Sequence, residues 1–287
     1  MRDGASRTAV LVCQGRAAAN GRIEVGRLDD PVAMELLRED ERLLVAQVRD
    51  AAVPKRLAER LDYEFVRGCA TVMAPRTIAI DDAVREQPAP QVVLLGAGLD
   101  ARAWRMPELA DTVAFEVDHP ASQADKRERL GARAPAAREV RFVATDFGEQ
   151  RLDTALAAAG HDPATPTTWV WEGVIPYLAP AQVEATLGVV SARSPAGSRL
   201  VVQYQVRSAS AGVGRLFARV LMRLAGRTDP WRDEPHRSSW TPEQLSALLA
   251  EHGFTTVRDQ SLLEVCPGLT NDRGSLANGH VLVADRR

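Results

Sequence analysis

The chain has 287 residues, 45% of them hydrophobic and 26% charged, which suits one large α/β domain with additions or two small domains. A net charge of −2 supplies no general attraction to nucleic acid or anionic membrane, so neither is expected as a partner. Cys13, Cys69 and Cys266 are few and far apart, which is the pattern of neither a disulfide framework nor a structural zinc site, and a cytoplasmic setting is expected.

Residues 1–90 read as helical. Asp30 followed by Pro31 is an N-cap acid with proline at the first helical position, and Val32, Leu36 and Leu37 follow at helical spacing. Pro54 interrupts the stretch 43–61, giving two helices or one kinked helix. Residues 62–68 form a further turn or helix, and 71–84 lead into the proline-rich break at 87–90. No signal-peptide core opens the chain, and no apolar run approaches the ~20 residues needed to span a bilayer.

From Gln91 strands and helices alternate. The pattern predicts strands at 91–95, 112–117, 140–144, 168–172, 199–205, 255–262 and 279–284. Helices are predicted near 100–106, 120–131, 150–159, 180–193 and 242–252. Such alternation with short loops means a doubly wound, mainly parallel α/β sheet. The connection at 267–274 has no room for a crossover helix, so the seventh strand should pair antiparallel with the sixth. The seven-stranded class I methyltransferase (Rossmann-like) sheet has this form, whereas classical dinucleotide folds have six parallel strands. Residues 206–240 break the alternation. They read as an insertion after strand 5, with an amphipathic helix at 212–224 followed by a proline- and tryptophan-containing segment. An insertion of this length is expected to serve binding.

Chemistry gathers at the strand ends. The first strand turns at Gly96-Ala97-Gly98, where missing side chains let a ligand approach the backbone. Asp118 ends the second strand about 20 residues later, where an acid holds ribose hydroxyls. Its competing role is N-cap to the helix opened by Pro120. Glu116 is expected to point to the opposite side of the sheet. Asp146, after the third strand, can accept a hydrogen bond from an adenine amino group with Phe147 against the ring; an N-cap beside a core aromatic is the equal alternative. Glu172 ends the fourth strand among aromatic residues, and a buried acid there needs a partner, either a ligand's ammonium group or an arginine. All but two of the 36 basic residues are arginine. The five histidines form no metal cluster and no metal is expected; G-x-S-x-G is absent, so there is no nucleophile elbow.

These segments together resemble the leucine carboxyl methyltransferase family, including its bacterial tetracenomycin-type polyketide O-methyltransferase branch. The matching residues are 28–31 (LDDP), Ala74-Pro75-Arg76 with Ile80-Asp81, 95–102 (LGAGLDAR), 115–120 (FEVDHP), 145–147 (TDF) and 171–178 (WEGVIPYL). They run in family order over about the first two-thirds of the chain. The resemblance implies a class I fold using S-adenosyl-L-methionine and releasing S-adenosyl-L-homocysteine. It places the methionine carboxylate on Arg76, loop contact on Gly96, ribose on Asp118, adenine on Asp146 and Phe147, and the methionine end near Glu172. Members often carry Asp-Thr-Arg where this chain has Asp100-Ala101-Arg102, and Asp-Leu where Asp146-Phe147 stands.

Residues 1–90 are accordingly expected to form a helical cap region, and 91–287 the S-adenosyl-L-methionine-binding domain with the acceptor-site insertion at about 206–240. The expected reaction is O-methylation of a carboxylate on a small metabolite or peptide C-terminus. A carboxylate needs orientation and desolvation but no base. Arg16, Tyr177 and Tyr204 are the candidates for positioning it. A phenol or alcohol acceptor is the alternative, with His119 or Tyr177 as catalytic base. More distant alternatives are a nicotinamide-dependent oxidoreductase, with Ala101 as the third small residue of its fingerprint, and a non-catalytic binding module.

Overall fold

The computed structural model describes residues 6–145, 152–206 and 237–287. A seven-stranded sheet in the order β3-β2-β1-β4-β5-β7-β6 forms its centre. The strands are β1 (Gln91–Leu95), β2 (Val113–Asp118), β3 (Glu139–Ala144), β4 (Thr167–Trp171), β5 (Arg199–Gln205), β6 (Thr255–Ser261) and β7 (Gly279–Asp285). Each begins and ends within one residue of its predicted bounds. The first five run parallel, and β7 lies antiparallel between β5 and β6. The antiparallel seventh strand departs from the six-parallel dinucleotide arrangement.

Central strands are buried on both faces, and their side chains alternate between two cores. Val92, Leu94, Ala114, Val170 and Val201 pack with the N-terminal helices. Val93, Leu95, Phe115, Trp169, Trp171 and Val202 pack with three helices on the other face: α7 (Leu152–Ala158), α8 (Pro180–Ala192) and α9 (Pro242–Glu251).

The N-terminal segment is α1 (Arg7–Ala19), α2 (Val32–Glu35), α3 (Glu39–Arg49) and α4 (Leu57–Glu86), and the short α5 (Arg102–Arg105) follows β1. Pro54 separates α3 from α4, resolving the two-helix alternative. The breaks expected between 62 and 84 are absent. Residues 57–86 form one helix that runs through Pro75. Proline removes one backbone donor from the ladder, and burial of Ala70, Ala74 and Ile78 on the same face holds the helix continuous. Gly15 lets α1 lie close to α4, because a Cβ there would stand 2.7 Å from Cys69 Sγ. The β6–β7 connection holds two short helices, Leu262–Val265 and Arg273–Asn278, in place of a plain loop.

The sheet order reverses between β1 and β4. Open α/β sheets bind ligands beyond the carboxyl ends of strands at such a switch point. Register fixes what stands there. Leu95 is level with Val117 and with Trp171, so Gly96, Asp118 and Glu172 form a row one step beyond Leu95 and Trp171, with Asp118 the last residue of β2.

Candidate active site

A cavity of about 740 Å³ opens at this row. Its volume falls in the range of small-molecule sites. Gly96, Gly98, Asp118, Arg76, Glu172, Arg16 and Tyr177 all line it. The helices α1 and α4 supply an apolar wall through Leu11, Val12, Phe65, Val72 and Met73.

The glycine turn is shaped by its surroundings. Gly96 has φ +69°, and a Cβ there would meet Val174 Cγ2 at 2.3 Å. Its N–H and that of Ala97 both donate to Val117 O. Asp118 ties the turn to β2: one oxygen accepts from Gly98 N at 2.6 Å, the other from His119 N at 2.6 Å. The expected alternative of Asp118 as N-cap is corrected by this geometry. The cap of the helix α6 (Pro120–Leu130) is His119, whose Nδ1 accepts from Ala121 N at 3.2 Å. His119 is not among the residues lining the cavity.

Glu116 also differs from expectation. Two residues apart on a strand, Glu116 and Asp118 share a face; depth separates them. Glu116 is buried within β2, 2.6 Å from the Lys126 ammonium group, and accepts a hydrogen bond from Trp104 Nε1. Burial outweighs Lys126 and raises its carboxyl above the ordinary value.

Beneath the cavity lies a chain of buried charge. Arg16 pairs with Asp30 (2.9 Å), and Asp30 with Arg105 (3.4 Å). Arg105 and Arg102 both reach Asp81 at 2.7 Å. Arg102 goes on to Asp100 (2.5 Å) and Glu172 (2.6 Å), and Glu172 ends the chain at Arg76 (2.6 Å). The structure therefore gives Glu172 two arginine partners. Burial alone would raise its carboxyl pKa, but Arg76 and Arg102 overcome that and hold it well below the usual carboxylate range. Asp100 is lowered in the same way, desolvation being outweighed chiefly by Arg102. The four arginines and four carboxylates balance in charge, which permits burial.

Among the described residues, the terminal nitrogens of Arg76 have no hydrogen-bond partner; only Nε is engaged, with Glu172. One of them lies where a Cβ on Gly173 would approach to 2.9 Å, so this glycine makes room for the guanidinium. A fork of free donors beside a carboxylate can receive a ligand bearing both a carboxylate and an ammonium group.

Two acceptor-side expectations change. Arg16 lines the cavity, but its Nε goes to Asp30 and its Nη2 donates to Leu99 O at 2.6 Å, so it buttresses the glycine turn. Tyr204 is buried on the opposite face. Its hydroxyl donates to Asp259 at 2.6 Å, and Asp259 also meets His280 Nδ1 at 3.0 Å. The strand neighbours Gln203 and Gln205 face the cavity instead, since strand side chains alternate. Gln203 Oε1 accepts from Gly173 N at 3.1 Å, a role that no local sequence pattern signals. Asp30, Asp81 and Arg102 belong to the motifs quoted for the family, but their joint network is visible only in three dimensions. Asp146, Phe147 and most of the 206–240 insertion, with His236 and the helix expected at 212–224, lie outside the described residues. Among the described residues no group of three or more His, Cys, Asp or Glu can hold a metal ion. No helix among them is long and apolar enough to cross a membrane.

The fold and the acid-tipped switch-point cavity define a class I methyltransferase. Residues 9–191 match the family model described as leucine carboxyl methyltransferase. A provisionally named S-adenosyl-L-methionine-dependent methyltransferase of Mycobacterium sp. (strain JLS) is 32% identical over 292 residues, covering 94% of this chain and 91% of that protein. Another so named, from Mycolicibacterium paratuberculosis (strain ATCC BAA-968 / K-10), is 34% identical over 267 residues, 87% of this chain and 81% of the relative. Among solved structures, a DUF574 family protein from Streptomyces avermitilis MA-4680 superposes with TM-score 0.58 at 14% identity, over 99% of this chain and 98% of the other. The chain belongs to the leucine carboxyl methyltransferase family and is an S-adenosyl-L-methionine-dependent methyltransferase. The nicotinamide and non-catalytic alternatives fall with this membership.

Proposed function

We propose that this protein methylates a carboxylate oxygen of a small organic acid, the terminal carboxylate of a peptide being the same chemistry. The observation that carries the reading is the extent of the family match. Residues 9–191 include the acceptor-side walls, α1 and α4, as well as the donor row at Gly96, Asp118 and Glu172. A family described by its action on a leucine carboxyl group therefore corresponds to this chain on both sides of the cavity.

The residues fit the methyl donor. The side-chain-free turn at Gly96 and Gly98 leaves backbone exposed for its adenosyl part. Asp118 takes the ribose hydroxyls, Arg76 the carboxylate through its unpartnered nitrogens, and Glu172 the ammonium group. Asp146 and Phe147 are assigned the adenine by resemblance alone. When bound, the donor supplies a methyl group activated on a sulfonium. The protein's part is to orient the acceptor in line and to exclude water, and a carboxylate is already ionised at neutral pH. Tyr177, on the turn after Glu172, lines the cavity and positions the acceptor. If the acceptor were a phenol or alcohol, Tyr177 would be the residue placed to assist the proton, since His119 is turned to its capping bond.

The test is incubation with labelled donor and a panel of carboxylic acids, phenols and alcohols. A product whose label is released by mild base is an ester and supports the reading. A base-stable product from a phenol or alcohol overturns it.

A further inference from the structure

We propose that Arg237 is the residue that selects a carboxylate acceptor. This rests on the carboxylate reading above. Among the described residues three cations line the cavity: Arg16, Arg76 and Arg237. Arg16 has its charge paired with Asp30 and gives Nη2 to Leu99 O. Arg76 is held by Glu172, and its remaining donors serve the methyl donor's own carboxylate. Arg237 is exposed, and its guanidinium has no partner among the described residues.

Its place is nonetheless fixed. Arg237 N donates to Pro176 O at 2.8 Å, and Ser238 Oγ donates to Ile175 O at 2.9 Å. Trp240 Nε1 reaches Ser238 Oγ in turn at 3.3 Å. These bonds fasten the backbone of Arg237 to the turn Ile175–Tyr177, which begins three residues after Glu172. An exposed fork on a fixed backbone thus stands at the rim beside the donor's methionine end.

The rest of the lining makes such a cation necessary. Asp118 and Asp272 face the same cavity with no ion-pair partner among the described residues. An anionic acceptor meets repulsion there unless a cation receives it. Arg237 holds one oxygen of the acceptor carboxylate and leaves the other to react. That oxygen forms a bond to the methyl carbon as the carbon–sulfur bond breaks and its electron pair passes to sulfur, and no proton moves. The ester so formed is neutral and has lost its attraction to the guanidinium, so the same residue that admits the acid favours release of the product. The apolar wall at Leu11, Phe65, Val72 and Met73 takes the acid's hydrocarbon body.

Arg237→Gln and Arg237→Lys test this without relying on turnover. With the protein held in S-adenosyl-L-homocysteine, calorimetry compares each acid that the wild type methylates with its methyl ester. The wild type should prefer the acid. In Arg237→Gln the acid should lose about tenfold in affinity while the ester changes little, as for truncation of a partly exposed charge contact. Arg237→Lys should recover part of the preference, since it keeps the charge without the fork. Donor affinity and thermal stability should not move. In steady state the change should fall on acceptor KM. If esters are formed but Arg237→Gln keeps the acid preference, the selector role is overturned and the carboxylate reading stands. A base-stable product overturns both.

Discussion

At the scale of single residues, Asp118 has two tasks on one carboxylate. It holds the glycine turn in place through Gly98 N and offers its remaining lone pairs to the cavity. Hydrogen bonds to an ionised acceptor are worth about 1.5–3 kcal/mol each. Asp118→Ala should therefore weaken donor binding at least about tenfold by calorimetry, and unchanged affinity would contradict the ribose assignment. Its part in the site was legible from sequence because strand, turn and acid lie within 28 residues of chain, from Gln91 to Asp118. Arg237 was not, because nothing in its neighbourhood distinguishes it from the other arginines. Nor was the diversion of Arg16, whose partner Leu99 is 83 residues away.

Secondary-structure elements were read more fully than their charges. All seven predicted strands are present; the central parallel ones announce themselves as short apolar runs because they are buried on both faces. The segments expected separately at 62–68 and 71–84 belong to one helix, α4, whose buried face at Ala70, Ala74 and Ile78 carries it through Pro75. The ionic chain joins α1, Asp30 just before α2, α4, the turn and short helix after β1, and Glu172 just after β4. Its links span 21 residues from Asp81 to Arg102, 70 from Arg102 to Glu172 and 96 from Arg76 to Glu172, so periodicity cannot expose it. Removing one member leaves uncompensated buried charge. Arg102→Met should cost about 3–5 kcal/mol in denaturant unfolding.

Acid should undo these elements in two stages. His161 is buried between Phe115 and Trp169, and burial, with Arg193 assisting, pulls its pKa down to about 4. The fold favours its neutral form, so its contribution is complete above the unfolded value of about 6.5 and is lost as pH falls toward 4. Glu172 is depressed as well, so its contribution is complete above the unfolded value of about 4.3 and is lost only below it. Unfolding midpoints measured across pH should show both declines. His161→Gln should flatten the first and leave the second.

For the molecule as a whole, the helices before Gln91 are part of the sheet's core and of the cavity wall alike. Val45, Ala74, Ile80 and Val84 share one buried cluster with Val92, Leu94 and Val201. The antiparallel seventh strand was legible in outline because its connection was too short to cross over, although it carries two short helices. The balance of the ionic chain has a consequence for the order in which the protein is made. Arg16, Asp30, Arg76 and Asp81 leave the ribosome well before Glu172, which completes the partnership of Arg76. Until then α1 and α4 carry charge that burial would strand, and domains of this size acquire structure during synthesis. A nascent chain halted before residue 172 should leave both helices open to protease, and the full chain stalled on an added C-terminal linker should protect them.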